Sequence, residues 1–390
     1  MSEDDPAASP DPSPPTDPTA SPDPSPPAGF SPPPIPDVDA EAAEAARERQ
    51  ADLTKPPGSL GRLEDLAVAL AGLTGDPRPT LADPTVVVAG ADHGVADRGV
   101  SAYPKSVTRA MLRNVAAGGA AVSAISEVVG AGTLVVDAGV EGAPVEAGGR
   151  IEVVDERIGP GTDDVAAGPA MSRADAVAAL SAGVRTARTR LADAGIVALG
   201  EMGIGNTTVA AALTAALTGA DPERITGHGT GVGEEIRAHK VAVVERALAT
   251  NGLVGADGGI DRDEAEAGSA VDPVEVLRRV GGYEVGLLAG VAIGCAADRT
   301  PVVVDGVVSG AAALVAVAVA GDVRPYLLPS HLGDEPGHAV QLDALGLAPL
   351  FDHGLRLGEG SGAALALATY RAACRSHDRM ATFAEAGIER

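Results

Sequence analysis

The side chain best placed for chemistry is Glu359, which lies between glycines in Leu355-Arg-Leu-Gly-Glu-Gly-Ser-Gly-Ala363, just ahead of an apolar helix. Small neighbours leave room for a planar substrate against its carboxylate, as a proton acceptor requires. The other reading is an ordinary acid at a helix start. A second carboxylate, Glu201, stands at the mouth of the glycine loop in Ile196-Val-Ala-Leu-Gly-Glu-Met-Gly-Ile-Gly-Asn-Thr-Thr208, where a buried strand runs into the alanine-rich helix Val209–Leu217. Gly200, Gly203 and Gly205 let the backbone approach a ligand closely, and free amides at the helix start can hold an anion such as phosphate. The spacing matches neither the dinucleotide fingerprint nor a Walker A loop. A plain strand-to-helix turn is the alternative, and it leaves Glu201 unexplained.

Three further segments carry polar groups near glycines. Gly227-His-Gly-Thr-Gly-Val-Gly233 precedes the helix Glu234–Thr250, from which Lys240 can reach a phosphate or carboxylate, or else lie in solvent. Asp305 follows the run Val302–Val304 directly, and Ser309 with Gly310 can meet a ribose or phosphate near the next helix start; an Asp at this position also suits a turn or cap. The loop Ser330-His-Leu-Gly-Asp-Glu-Pro-Gly-His338 is rich in hydrogen-bonding groups but lacks the paired spacing of a metal site. Asp92-His93-Gly94 follows the run Thr85–Ala89 and is expected to face the same ligand crevice.

These segments require strands to present them. Short apolar runs at Thr85–Ala89, Thr133–Asp137, Ile196–Leu199 and Val302–Val304 each end in a polar or glycine turn and lead into a helix, which indicates a parallel sheet covered on both faces. In such sheets ligands sit at the carboxyl ends of the strands. A capping box, Ser172 with Asp175, starts a helix over Ala174–Ala194. A first helix begins near Asp37–Asp39, and a second follows Pro56-Pro57-Gly58 with Ser59 as its cap. Residues 1–36, with 14 of the 30 prolines and no basic residue, read as a disordered tail. The remainder divides into N-terminal helices at 37–84, an α/β domain at 85–350 with an exposed insertion at 252–271, and a helical return after Phe351. The helices of 351–390 are expected to join the N-terminal ones in a small lobe.

Composition narrows the function. With 29 basic and 54 acidic residues the net charge is −25, which disfavours nucleic acid and anionic membranes as partners, and 2% aromatic content leaves no stacking platform for single strands. The segment Val302–Ala320 is apolar, yet Asp305, Gly306, Ser309 and Gly310 interrupt it, so it reads as a buried strand and a core helix. The N-terminus lacks the pattern of a secretory signal, and Cys295 and Cys374 read as small core residues in a reduced, cytoplasmic protein.

The wording and order of these segments resemble one family, the nicotinate-nucleotide–dimethylbenzimidazole phosphoribosyltransferases. The resemblance spans about 38–388 and rests on Lys55-Pro-Pro-Gly-Ser-Leu-Gly-Arg-Leu-Glu64, Ala91-Asp-His-Gly-Val95, Gly99-Val-Ser-Ala-Tyr-Pro104, Gly200-Glu-Met-Gly-Ile-Gly-Asn-Thr207 and Arg356-Leu-Gly-Glu-Gly360, with Gly229-Thr-Gly231 and Lys240, Val280-Gly-Gly282, Val304-Asp-Gly306, Ser330-His331 with Glu335 and His338, and Met380-Ala-Thr-Phe383 between and after them. It implies a Rossmann-like parallel sheet with a small helical lobe from both termini, working as a homodimer without cofactor or metal. It also implies transfer of the phosphoribosyl group of nicotinate mononucleotide to 5,6-dimethylbenzimidazole, giving α-ribazole 5′-phosphate and nicotinate in cobalamin assembly. Glu359 is then the general base and Glu201 a second active-site carboxylate. Gly203, Gly205, Asn206 and Thr207 would hold phosphate with Lys240, Ser309 and Gly310, and Ser101, Tyr103 and Leu357 would line the benzimidazole slot. Lys105 stands where the family more often has Gln.

The chemistry is consistent with that assignment. Nicotinate leaves a cationic pyridinium linkage as a neutral ring nitrogen, so its departure needs neither a general acid nor a metal. The incoming benzimidazole must lose its N–H proton, a task for a positioned carboxylate. Attack from the opposite face turns the β linkage into α. Two other classes compete. An NAD-dependent Rossmann oxidoreductase requires a GxGxxG loop after the first strand, which instead reads Gly90-Ala-Asp-His-Gly94; a noncatalytic nucleotide-binding regulator is expected to lack Glu359 or Glu201.

Overall fold

The computed structural model describes residues 29–146, 148–254 and 271–389. Six strands form one all-parallel sheet: β1 (Thr85–Ala91), β2 (Gly132–Gly139), β3 (Glu152–Asp155), β4 (Val197–Met202), β5 (Val302–Val304) and β6 (Leu327–Pro329). Their spatial order is β3-β2-β1-β4-β5-β6, the doubly wound arrangement in which the chain moves outward from β1 and then returns to its other side. Consecutive side chains on a strand point to opposite faces, and Val86, Val87 and Val88 are all buried, so both faces of the sheet are covered. The four expected strands are present, with β1, β2 and β4 running two or three residues further at their carboxyl ends than the apolar runs suggest.

The helices are α1 (Ala40–Asp52), α2 (Arg62–Thr74), α3 (Ser106–Ala116), α4 (Ala121–Val129), α5 (Arg173–Arg190), α6 (Asn206–Thr218), α7 (Pro222–Ile225), α8 (Glu234–Thr250), α9 (Pro273–Val280), α10 (Tyr283–Ala297), α11 (Val307–Val319), α12 (Pro336–Leu345) and α13 (Ser361–Arg379). Asp39 caps α1 by accepting from the Ala42 amide at 2.9 Å, and the Ser172–Asp175 box caps α5 in both directions. From Tyr283 to Ala296 every residue of α10 is buried, as an all-round apolar helix requires. The run 302–320 resolves into β5 and α11, and no helix among the described residues is long and apolar enough to cross a membrane.

Several expectations are corrected. Ser59 does not cap α2; the helix starts after Gly61, in a tight turn in which Leu60 and Gly58 donate backbone N–H groups to Glu64. Of the proposed tail, residues 1–28 lie outside the described residues, but 29–36 are held on the core, with Phe30 and Ile35 packed against it and Tyr326 Oη donating to the Pro36 carbonyl at 2.9 Å. Residues 255–270 of the proposed insertion also lie outside the description; of the residues just before them Gly252 is exposed and Leu253 is buried. After Phe351 the chain stays irregular until Ser361, and this stretch carries Glu359.

The terminal helices do associate. Arg49 on α1 donates to the carbonyls of His377, Asp378 and Met380 at 2.9–3.1 Å, and Gln50 bonds His377 at 3.0 Å. They share one hydrophobic core with the sheet, into which Leu70, Leu73, Leu367 and Tyr370 all pack. Both cysteines are buried and unpaired in that core.

Candidate active site

A cavity of about 510 Å³ opens at the carboxyl ends of the strands, where the strand order reverses between β1 and β4. Its size suits a mononucleotide or a small bicyclic ring. The end of β4 gives Glu201 and Met202, and the loop into α6 gives Gly203 through Thr207. The opposite wall holds Val100, Ser101, Tyr103, Val107 and Met111, and the segment Leu355–Glu359 closes the side.

Glu359 sits in a left-handed backbone conformation at φ 62°, between Gly358 at 83° and Gly360 at 87°. Three successive left-handed residues are tolerable only because two are glycines, and the strain at Glu359 is the kind that active sites retain. A side chain at Gly200 would strike the Glu359 carbonyl, so the glycine in β4 permits the approach that fixes this turn against the sheet. Glu359 is 4% exposed, and its Oε2 has no hydrogen-bond partner among the described residues. Burial raises its pKa, opposed by the Val122 amide in the first turn of α4, and the nearby Asp305 raises it further. The result is a buried carboxylate of raised pKa whose unpartnered oxygen is itself enclosed.

Glu201 lies at the edge of the same wall, bonded by the Asn206 amide nitrogen. Burial pushes its pKa up to about 8; Asn206 opposes this, and the carboxylates of Asp305, Glu284 and Glu359 add to it. The shift favours the protonated form of Glu201 near neutral pH. Asp305, fully enclosed, is raised to about 6 by burial against the opposing pull of backbone amides.

The glycine loop leaves backbone donors without acceptors. Gly205, at φ 96°, caps α6 without a side-chain bond, and among the described residues the amides of Gly205 and Thr207 donate to no group of the protein. Ile204 N is instead fixed by the Thr108 hydroxyl at 3.0 Å. Lys240 is neither in solvent nor in the cavity wall. It is buried behind Thr207, donating to Thr207 Oγ1 and to the Gly227 carbonyl, both at 3.1 Å, and thus ties the two glycine loops together. Burial lowers its pKa and Glu335 opposes that shift.

Three residues expected to meet the ligand are not among those lining the cavity. Asp305 turns away from the cavity and accepts the Ala363 amide at 2.8 Å, so it serves the start of α13, the helix that follows Glu359. Ser309 closes its own turn, donating to Gly306 O at 3.1 Å and accepting from Asp305 N at 2.9 Å. Gly310 gives room to Gln341 of α12, whose side-chain oxygen would meet any added methyl. His93 likewise does not face the crevice; it is buried beneath the loop and bonded to Glu284 at 2.8 Å. Among the described residues no group of three or more His, Cys, Asp or Glu could hold a metal ion.

Ser101, Tyr103 and Leu357 do line the cavity, with Tyr103 and Leu357 more than half exposed at its mouth. Lys105 lies outside the lining, paired with Glu141 at 2.8 Å and Asp97 at 3.0 Å. The wall also contains residues to which the sequence reading gives no role: Val107, Met111, Thr230, Val307, His331, Glu335 and Arg356. Glu335 accepts the Gly229 amide at 2.7 Å and so anchors the second glycine loop. Val107 and Met111, four apart on α3, share one helix face, a periodic signal that could have pointed to them.

A doubly wound sheet with free backbone donors and two carboxylates at its switch point fits an enzyme that moves a phosphorylated sugar. The family model described as "DBI_PRT: Phosphoribosyltransferase" matches residues 35–388. The chain is 47% identical over 355 residues to the nicotinate-nucleotide–dimethylbenzimidazole phosphoribosyltransferase of Desulforudis audaxviator, and 48% identical over 356 residues to that of Roseiflexus sp. (strain RS-1). Each alignment covers 91% of this chain and 96% of the relative. The crystal structure of the enzyme of that name from Thermus thermophilus superposes with a TM-score of 0.81 at 43% identity, over 90% of this chain and all of the other. The chain belongs to the nicotinate-nucleotide–dimethylbenzimidazole phosphoribosyltransferase family.

Proposed function

We propose that this enzyme transfers the phosphoribosyl group of nicotinate mononucleotide to 5,6-dimethylbenzimidazole, releasing nicotinate and α-ribazole 5′-phosphate for the nucleotide loop of cobalamin, with Glu359 as the general base. The observation that carries the assignment of the base is the buried, partly unpartnered Glu359 carboxylate held in a strained turn on the cavity wall. The phosphate sits on the Gly203–Thr207 loop and the start of α6, with Lys240 supplying positive charge from behind Thr207. The benzimidazole lies between the Ser101–Tyr103 segment and Leu357. Its free ring nitrogen attacks C1′ as the C1′–pyridinium bond breaks, the bonding pair passes to the nicotinate nitrogen, and the benzimidazole N–H proton moves to Glu359. Glu201, once ionised, faces the positive charge that develops on the ribose.

A homodimer belongs to this reading through the family resemblance, and light scattering at twice the 38.5 kDa chain mass would verify it. A cytoplasmic location is part of the same reading, supported by two buried, unpaired cysteines and by the small-molecule substrates. The test is to incubate the protein with both substrates and follow products by chromatography. Equal amounts of nicotinate and α-ribazole 5′-phosphate are expected. Nucleotide binding without release of nicotinate, with any benzimidazole or phenol, would leave the regulator reading in its place.

A further inference from the structure

His331 follows β6 and lines the cavity, yet the transfer as described gives it no task. Its ring is held on several sides. Phe351 stacks on it at 6.2 Å between centroids, and Gly362 in the first turn of α13 is so close that an added methyl would enter the imidazole. The hydrogen bonds fix which nitrogen carries the proton. Ser330 Oγ donates its only hydrogen to the Val304 carbonyl at 2.6 Å, so at 3.0 Å from His331 Nδ1 it accepts, and Nδ1 is the protonated nitrogen. Asp305 Oδ1, at 3.9 Å from Nδ1, favours the same arrangement. Burial lowers the basicity of the ring, which favours its neutral form. Nε2 then carries a lone pair. It has no partner among the described residues and is not among the fully enclosed polar atoms, so it is the polar ring atom left open to the cavity beside Gly333.

A fixed lone pair of this kind selects a ligand that can donate. At neutral pH the phosphate and carboxylate of nicotinate mononucleotide only accept, and the benzimidazole N–H is committed to Glu359. The remaining donors are the 2′- and 3′-hydroxyls of the ribose. We propose that His331 Nε2 accepts a hydrogen bond from a ribose hydroxyl of the nucleotide, making His331 the residue that distinguishes ribo- from deoxyribonucleotides. This rests on the transferase reading for the identity of the nucleotide.

The experiment measures Kd by calorimetry for nicotinate mononucleotide and for its 2′-deoxy and 3′-deoxy analogues, on wild type, His331→Asn and His331→Gln. Asn retains a donor for Ser330 but removes the acceptor at the ε position, and Gln restores an oxygen there. Wild type should bind one deoxy analogue roughly tenfold more weakly than the ribonucleotide, the loss expected for one hydrogen bond. His331→Asn should bind all three within about twofold of one another, with discrimination partly recovered in His331→Gln. Equal affinities in wild type, or undiminished discrimination in His331→Asn, would overturn the proposal. ¹⁵N NMR of the wild-type imidazole tests it without any variant: a proton on Nε2 in the free enzyme contradicts it. Turnover of the ribonucleotide is scored separately, so discrimination in binding without turnover would remove the transferase reading and support the role of His331.

Discussion

Burial and the neighbouring Asp305 carboxylate raise the pKa of Glu359, and in the proposed transfer that shift sets the pH dependence. The reaction needs Glu359 ionised, and burial raises its pKa, so kcat/KM should rise with pH along a limb above the ordinary carboxylate range. In Asp305→Asn the like charge that raises Glu359 is removed, so the ionised base is less disfavoured and the limb should move to lower pH. A pH profile of kcat/KM for both proteins measures this, and an unmoved or upward-shifted limb contradicts the coupling. Both Glu359 and Glu201 were legible in the sequence because glycines isolate them at strand or helix ends. The burial of Lys240 was not, because a helix with mixed polarity does not reveal that its lysine faces a second loop 33 residues upstream. His331 escaped assignment for a similar reason: its open nitrogen is defined by Ser330, Val304 and Phe351, two of them distant in the chain.

The elements explain how Glu359 is held. β4 contributes Gly200, whose missing side chain admits the Glu359 carbonyl, and β5 leads into Asp305, which accepts the α13 amide that follows. Gly200→Ala should therefore displace the base and lower kcat by roughly 10²-fold, the penalty typical of misplacement by about 1 Å, with the KM for the nucleotide little changed. Steady-state kinetics test it, and wild-type kcat would show the close approach to be unimportant. Asp305→Ala removes an acceptor from the start of α13 and should cost about 1–2 kcal/mol of stability together with activity, while Asp305→Asn retains most of both. Denaturant melts with kinetics distinguish this from a ribose contact, for which KM alone would rise. The four longer or more apolar strand runs were readable from their continuous burial pattern. β3 and β6 were not, because one begins and ends in an acid, the other ends in proline, and both are only three or four residues at the sheet edges.

At the scale of the whole molecule, doubly wound topology places the Gly203–Thr207 loop, Gly229–Thr230 and both glutamates at one crevice, and alternation of apolar runs with helices made that crevice readable before any contact was known. The close integration of the terminal helices with the sheet was less visible, since it depends on Arg49 and Gln50 reaching across more than 300 residues. The net charge of −25 strains the folded state through self-repulsion, so Tm should rise by a few °C between low salt and about 0.5 M sodium chloride as this is screened. Calorimetry at fixed pH would show it, and a falling Tm would indicate that surface ion pairs outweigh repulsion. The most direct test of the mechanism is the rate of nicotinate release from nicotinate mononucleotide, with and without 5,6-dimethylbenzimidazole, in wild type and Glu359→Ala. Release should require the benzimidazole in wild type and fall by roughly 10²–10⁴-fold in a variant that still folds and binds the nucleotide. Undiminished, benzimidazole-dependent release in Glu359→Ala would show that another group takes the proton.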